Sequence, residues 1–385
     1  MIICIFAKKS KTMINPFVTT GYVGPEYFCD REKETCDIVS LLTNGNNIAL
    51  ISSRRVGKTD LLRHCMEQPE IKDKYYTFIV DIYSTRSLSD FVNTFGKVIL
   101  EELKPRGKRV WSKFVNMLSS LKTGISYDNS GTPSWMVSLG ELNTPQTTLE
   151  EIFGYIQNAD KRCIVIIDEF QQVLKYPENN IEAIIRTYMQ YCRNANFVFS
   201  GSHRHLMGSI FTSPARPFYQ SVTIMDLPLI DKQRYLYFCM SHFKNGRKAL
   251  DADVVENLYD EFEGVTFYLQ KVMNILYMQT KPGAKCKLRQ LKPAIDYIVD
   301  FTSGTYEDLL YQLPDKQKRV LLAISKAGKA INVTSGSFAK KYGLISPSSV
   351  NSAIKGLLEK DLLTQNKGVY QVYDKFFERW LIKKF

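Results

Sequence analysis

Residues Ile51–Leu62 read ISSRRVGKTDLL, and this stretch decides the fold. It closes on Gly57-Lys58-Thr59, the ending of a phosphate-binding loop, although Ser52 stands where such a loop has its first glycine. The apolar run NIALIS precedes it directly and reads as a buried strand; TDLLRHCMEQP follows and reads as a helix that stops before Pro69. A loop between strand and helix turns its backbone N–H groups, here those of Ser53, Arg54, Arg55, Val56 and Gly57 through Asp60, toward a polyphosphate. Gly57 supplies the conformational freedom before the lysine. Lys58 has the reach for the outer phosphates, and the Thr59 hydroxyl is a ligand for a magnesium ion. Arg54 and Arg55 add positive charge in the middle of the loop.

Outward from the loop, the chain alternates strand and helix. Residues 26–43 read as a helix, YYTFIVDIY (75–83) as a second strand, and SLSDFVNTFGKVILEEL (87–103) as a long helix capped by Ser87 or Ser89. Residues 104–148 break the rhythm with a basic helical segment (104–124) and two short strands around a glycine-containing turn, which together read as an insertion. The pattern resumes with a helix at 147–159. Then comes CIVIIDEF, five apolar residues followed by Asp168 and Glu169, 110 positions beyond Lys58. A carboxylate at the exit of a central strand is placed to hold the same metal ion, and Glu169 to polarise a water for attack on the terminal phosphate. A further helix (179–194) leads to NFVFSGS, which puts Ser200 and Ser202 where a parallel strand leaves its sheet, the ligand edge of such a fold. Ser200 is therefore a candidate to orient the attacking water. Arg216, in SPARPFYQ before the fifth strand QSVTIMDLPL, is a candidate positive clamp on the terminal phosphate, with Arg204 as its rival.

These segments, in this order, resemble the archaeal-type P-loop ATPase family, which is related to the AAA+ ATPases and lies near the STAND signal-transduction NTPases. The resemblance rests on NPF (15–17), YFCDREKE, ISSRRVGKTDLL, CIVIIDEFQQV, FVFSGS, RPFY before MDLPL, and EGVTFYLQ, spread over residues 15–280. It implies an α/β fold with a P-loop NTPase, AAA+-like parallel sheet domain, followed by a helical lid domain and a winged-helix domain. The expected boundaries are 1–230 for the ATPase domain with its insertion at 104–148, 231–305 for the lid and 306–385 for the winged helix. It implies ATP and Mg2+ as cofactors and phosphoryl transfer to water. Nucleotide is then expected to hold the α/β and helical domains together, and hydrolysis to loosen them. Arg31, in the segment that the family places near the base, joins the candidate nucleotide contacts. The chain departs from the family pattern at Ser52, at Asp30 in a glycine's place, and at Thr266 in a proline's place. Its lid segment around Gly264, Tyr268 and Leu269 also carries no arginine.

Bulk composition agrees with a soluble globular protein of two or three domains: 385 residues, 44% hydrophobic, 23% charged. No apolar stretch is long enough to span a membrane. The start, MIICIFAKKSKTM, has the reverse order of a signal peptide, and both Met1 and Met13 are open as the natural start. Eight scattered cysteines without a CxxC pair fit a reducing cytoplasm and offer no zinc or disulfide framework. His203 and His205 lack acidic or thiol companions at ligand spacing.

The net charge of +12 is uneven: Tyr311–Phe385 holds fourteen Lys and Arg against five Asp and Glu, or +9. That points to an anionic partner, DNA first, through residues 311–385, with Lys340, Lys341, Lys355, Lys360 and Lys367 as candidate contacts. The same fold also serves as a protein-docking or regulatory module, so a protein partner or self-association stays open. The second reading from the sequence is accordingly a non-catalytic nucleotide-binding scaffold or DNA-binding regulator acting through this tail.

Overall fold

A computed structural model describes residues 15–103, 125–127, 133–135, 144–344 and 346–385. The expected basic helix at 104–124 lies outside them, as do the first fourteen residues. The described residues divide into two compact units: Thr20–Asp231, and a second one made of Lys232–Phe385 with residues 15–19.

The first unit is built on five strands, β1 (Ile48–Ile51), β2 (Tyr75–Asp81), β5 (Arg162–Asp168), β6 (Ala195–Gly201) and β7 (Thr223–Asp226). They form one sheet in the order β2-β5-β6-β1-β7, and every pairing is parallel. Helices α1 (Glu32–Thr43), α2 (Lys58–Met66), α3 (Leu88–Glu102), α4 (Pro145–Gln157), α5 (Ile181–Tyr191) and α6 (Arg204–Thr212) connect them. Alternation along each strand separates the two cores. Ile164 and Ile166 of β5 join Ile48, Leu50 and Val198 under α1 and α2. Val165 and Ile167 join Ala49, Phe78, Phe197 and Phe199 under α3 to α6. Burial on both faces is why these strands read as unbroken apolar runs rather than as alternating ones. Each fully buried Ile or Phe contributes about 1.5–3 kcal/mol relative to an exposed one, so two cores of this size hold the sheet edge firmly.

Two short strands, β3 (Ile125–Tyr127) and β4 (Pro133–Trp135), pair antiparallel within the stretch expected as an insertion. Ser87 is the cap of α3, its hydroxyl accepting from the Asp90 N–H at 3.2 Å. The expected helix over 26–43 is corrected: a short 3-10 turn covers Pro25–Tyr27 and α1 begins only at Glu32. Asp30 and Arg31 interrupt it with φ of 60° and 81°. Asp30, the residue in the family's glycine position, thus takes the left-handed conformation that a glycine would supply. Asp is among the few residues that adopt it at modest cost.

In the second unit, α7 (Lys232–Asn245), α8 (Ala252–Glu261), α9 (Thr266–Gln279) and α10 (Leu291–Phe301) follow one another, with β8 (Ala249–Leu250) pairing parallel to β9 (Lys285–Cys286). Thr266 is the first residue of α9, a position at which proline and other residues are equally accommodated, so its replacement of a proline removes no hydrogen bond. The N-terminal Asn-Pro-Phe belongs here: Phe17 is fully buried among Phe238, Phe243 and Tyr277, and Asn15 and Asn274 exchange bonds with each other's backbone neighbourhood, Asn15 Nδ2 to Asn274 O at 2.8 Å and Asn274 Nδ2 to Phe17 O at 2.7 Å.

After α11 (Ser303–Tyr311) come α12 (Asp315–Ala327), α13 (Gly336–Lys341), α14 (Pro347–Glu359), the hairpin of β10 (Leu363–Asn366) and β11 (Val369–Val372), and α15 (Lys375–Lys384). Three helices and a hairpin make the expected winged helix, and Val350, Ile354 and Leu357 are the buried face of α14. Tyr268 of α9 fastens it, its hydroxyl donating to Tyr373 O at 3.2 Å and accepting from Lys375 N–H at 3.1 Å.

Candidate active site at the sheet edge

Strand β1 ends at Ile51 and the loop begins. Ser52 lacks the positive φ of a loop glycine; that conformation falls on Arg55 (φ 67°) and Gly57 (φ 91°). Gly57 has open space around the missing Cβ, so backbone freedom, not crowding, is what a glycine supplies there. Ser52 does something a glycine cannot. Its hydroxyl accepts from Lys58 Nζ at 3.3 Å and donates to Ser53 O at 2.9 Å, while Lys58 Nζ also reaches Ser53 O at 3.2 Å. Lys58 is 6% exposed. Burial lowers its pKa from the usual lysine value, and the nearby Glu169 and Asp168 charges oppose that shift.

The strand order brings the rest together. β6 lies between β1 and β5, so the ends of all three strands meet beside the loop. Thr59 Oγ1 donates to Asp168 Oδ2 at 2.7 Å. Ser200 Oγ donates to the other oxygen of Asp168. Ser202 Oγ donates to Glu169 Oε2 at 2.7 Å and accepts from Arg54 Nε at 3.1 Å. Glu169 has left the strand with φ 57° and begins a 3-10 turn, Phe170–Lys175. The two candidate strand-end serines are thus both engaged, one on each acid.

Other candidates have other occupations. Arg216 pairs at 2.6 Å with Glu182 of α5, whose pKa burial raises against the pull of that arginine. Arg204 pairs with Asp226 at 2.7 Å. Arg31 is buried, bonded to Glu34 at 3.0 Å and to the Pro228 carbonyl at 2.8 Å. Asp60 sits in the first turn of α2, its pKa raised by burial and drawn back by Arg63.

Two residues at this edge escape a motif search. Asp81 ends β2 in register with Asp168; burial raises its pKa, and the charges of Asp168 and Glu169 push the same way. Gln171 is buried, and its Nε2 donates to Glu169 Oε2. The only available signals were the acid closing YYTFIVD and the amide two positions after the acid pair. Among the described residues, no cluster of three or more metal-ligating side chains of the His, Cys, Asp and Glu type occurs, and no helix is long and apolar enough to cross a membrane.

Comparison with known proteins gives the same picture at family level. An uncharacterized ATP-binding protein of Methanocaldococcus jannaschii is 28% identical over 161 residues, 38% of this chain. The chain spans only 43% of the length of that curated relative. A Walker-type ATPase of Pyrococcus abyssi superposes with TM-score 0.62 at 17% identity, over 95% of this chain and 99% of that one. The Aeropyrum pernix ORC1 protein, solved in complex with DNA, superposes with TM-score 0.54 at 14% identity, over 93% and 94% of the two chains. At these identities the two structures share the fold. Residues 304–383 match the model of a probable winged helix domain, and residues 28–272 match that of an ATPase domain predominantly from Archaea. A match over that span, on a parallel sheet whose loop and acid pair meet at one edge, makes this chain a member of that archaeal ATPase-domain family.

Proposed function

We propose that the chain is a magnesium-dependent ATPase that works as a nucleotide-controlled switch, with the loop Ser53–Asp60 as its phosphate cradle. One observation carries the reading: the Thr59 hydroxyl and the Asp168 carboxylate, 109 residues apart, lie 2.7 Å from one another. Both are hard oxygen donors of the kind Mg2+ takes, so the residues fit the ion that the family implies. When bound, the ion neutralises charge on the outer phosphates. Lys58 adds a positive charge from the loop, exchanging its bonds to Ser52 and Ser53 for phosphate oxygens. Ser200 keeps the Asp168 carboxylate oriented, and Glu169 takes the proton of the attacking water. Arg216, paired with Glu182 but partly exposed, is the arginine we assign to the terminal phosphate, with Arg204, likewise paired and exposed, as its rival. We take 231 and 306 as the starts of the lid and winged-helix domains that read out the switch, and 104–148 as an insertion in the ATPase domain. The direct test is equilibrium titration of the full chain with Mg-ATP and with ATP in EDTA, beside phosphate release. Tight binding and release that both require magnesium are expected; binding unaffected by EDTA rejects the metal role of Thr59 and Asp168.

A second reading, DNA contact through the tail, is favoured by the exposure of Lys340, Lys341, Lys355, Lys360 and Lys367. Much of the remaining tail charge is neutralised within its own unit: Lys329 on Glu263, Arg379 on Glu261, Lys383 on Asp300 and Lys384 on Glu307. If the exposed lysines touch phosphates, duplex affinity falls steeply with salt, and each Lys→Ala change lowers the log–log slope by about one. Salt-insensitive or absent binding rejects this reading.

A further inference from the structure

Resting on the hydrolytic reading of Glu169, we propose that Ser202 and Gln171 are positioning residues that form a clamp on its carboxylate and dictate which of its oxygens accepts the proton. Both donors fall on the same atom. Ser202 Oγ lies 2.7 Å from Glu169 Oε2, and Gln171 Nε2 donates to that same oxygen. A carboxylate oxygen has two lone-pair sites in its plane, and here both are taken. The proton drawn from water therefore goes to Oε1.

The direction of these bonds follows from the donors available. Arg54 Nε has a proton and no lone pair, so across its 3.1 Å contact Ser202 must accept. The hydroxyl proton of Ser202 is then directed at Glu169. Arg54 belongs to the phosphate loop, so the loop sets the orientation of the serine that holds the base. Gln171 is oriented by charge: turning the amide over would face its oxygen toward the carboxylate. The orientation leaves Gln171 Oε1 buried with no hydrogen-bond partner among the described residues. Buried orphan acceptors are uncommon, and the carboxylate is what holds the amide in this orientation. The backbone makes room for it: a Cβ on Gly201 would collide with Gln171 Oε1 and with Met207. Ser200-Gly201-Ser202 thus reads as a unit in which one hydroxyl serves Asp168, the bare backbone admits Gln171, and the other hydroxyl serves Glu169.

The test uses the full chain carrying Ser202→Ala, Gln171→Met (an apolar side chain of the same length), Glu169→Gln, and each of the first two combined with Glu169→Gln. Single-turnover phosphate release at saturating Mg-ATP is measured beside equilibrium binding of a fluorescent ATP analogue. Ser202→Ala and Gln171→Met are each expected to slow release by about ten- to a hundredfold, the cost of a misplaced reacting group, with analogue affinity unchanged. In the Glu169→Gln background neither change is expected to slow release further, because residues acting as one unit are non-additive. Release unaltered in both variants, additive losses in the Glu169→Gln background, or affinity that falls as much as the rate would each overturn the clamp while leaving the ATPase reading standing. A wild-type chain that binds the analogue but releases no phosphate overturns the hydrolytic reading and the clamp with it, and is recognised from the wild type alone.

Discussion

Glu169→Gln is expected to bind Mg-ATP as the wild type does and to release phosphate about 10²–10⁴-fold more slowly, the range for removal of a positioned general base. The substitution keeps the size of the side chain and its ability to accept from Ser202 and Gln171 through the amide oxygen. What it removes is the capacity to take a proton. Glu169 stands one residue beyond Asp168, yet its backbone turns through φ 57° and its carboxylate is held by Ser202 and Gln171. Asp168 is instead bonded to Thr59 and Ser200. The two acids are therefore held by different partners, and a binding titration run beside a phosphate-release assay tests whether their tasks separate. Release at the wild-type rate would remove Glu169 from the chemistry.

Lys58→Ala is expected to abolish tight nucleotide binding. An ammonium about 4 Å from a phosphate charge contributes about 4 kcal/mol at the effective dielectric of a partly wet protein site, or about a thousandfold in affinity. Of the two arginines in the loop, Arg54 is already directed at Ser202 and the Tyr83 ring. In the structure Lys58 is bonded to Ser52 Oγ and Ser53 O, so a phosphate bound by Lys58 is expected to exchange with these contacts rather than create a charge-assisted bond from nothing. The measurement is analogue titration of the wild type and of Lys58→Ala. Equal affinity would mean that the loop does not cradle phosphate.

The exchange at Lys58 also gives Ser52 a meaning that the motif alone could not. In sequence, Ser52 is only a departure from the usual glycine. In the structure it is a lysine-holding hydroxyl without the positive φ that a serine avoids. A Ser52 hydroxyl bonded to Lys58 is a different matter from a loop that cannot form.

What the sequence determined by itself was everything written in local patterns. A strand, a glycine-bearing turn and a helix are specified by residues within a dozen positions of one another, and so was the run of apolar residues ending in Asp168-Glu169. The three helices and hairpin of the tail were legible for the same reason. Pairings were not legible, because they depend on which strand lies beside which. Only the order β2-β5-β6-β1-β7 places β6 between the loop strand and the acid strand, and only that placement gives Ser200 to Asp168 and Ser202 to Glu169. The partners of Arg216 and Arg204, Glu182 and Asp226, and the Pro228 carbonyl on Arg31 were decided in the same way, whereas the Arg31–Glu34 pair is local, three residues apart. A charge that folding buries needs a partner, and topology chooses which one.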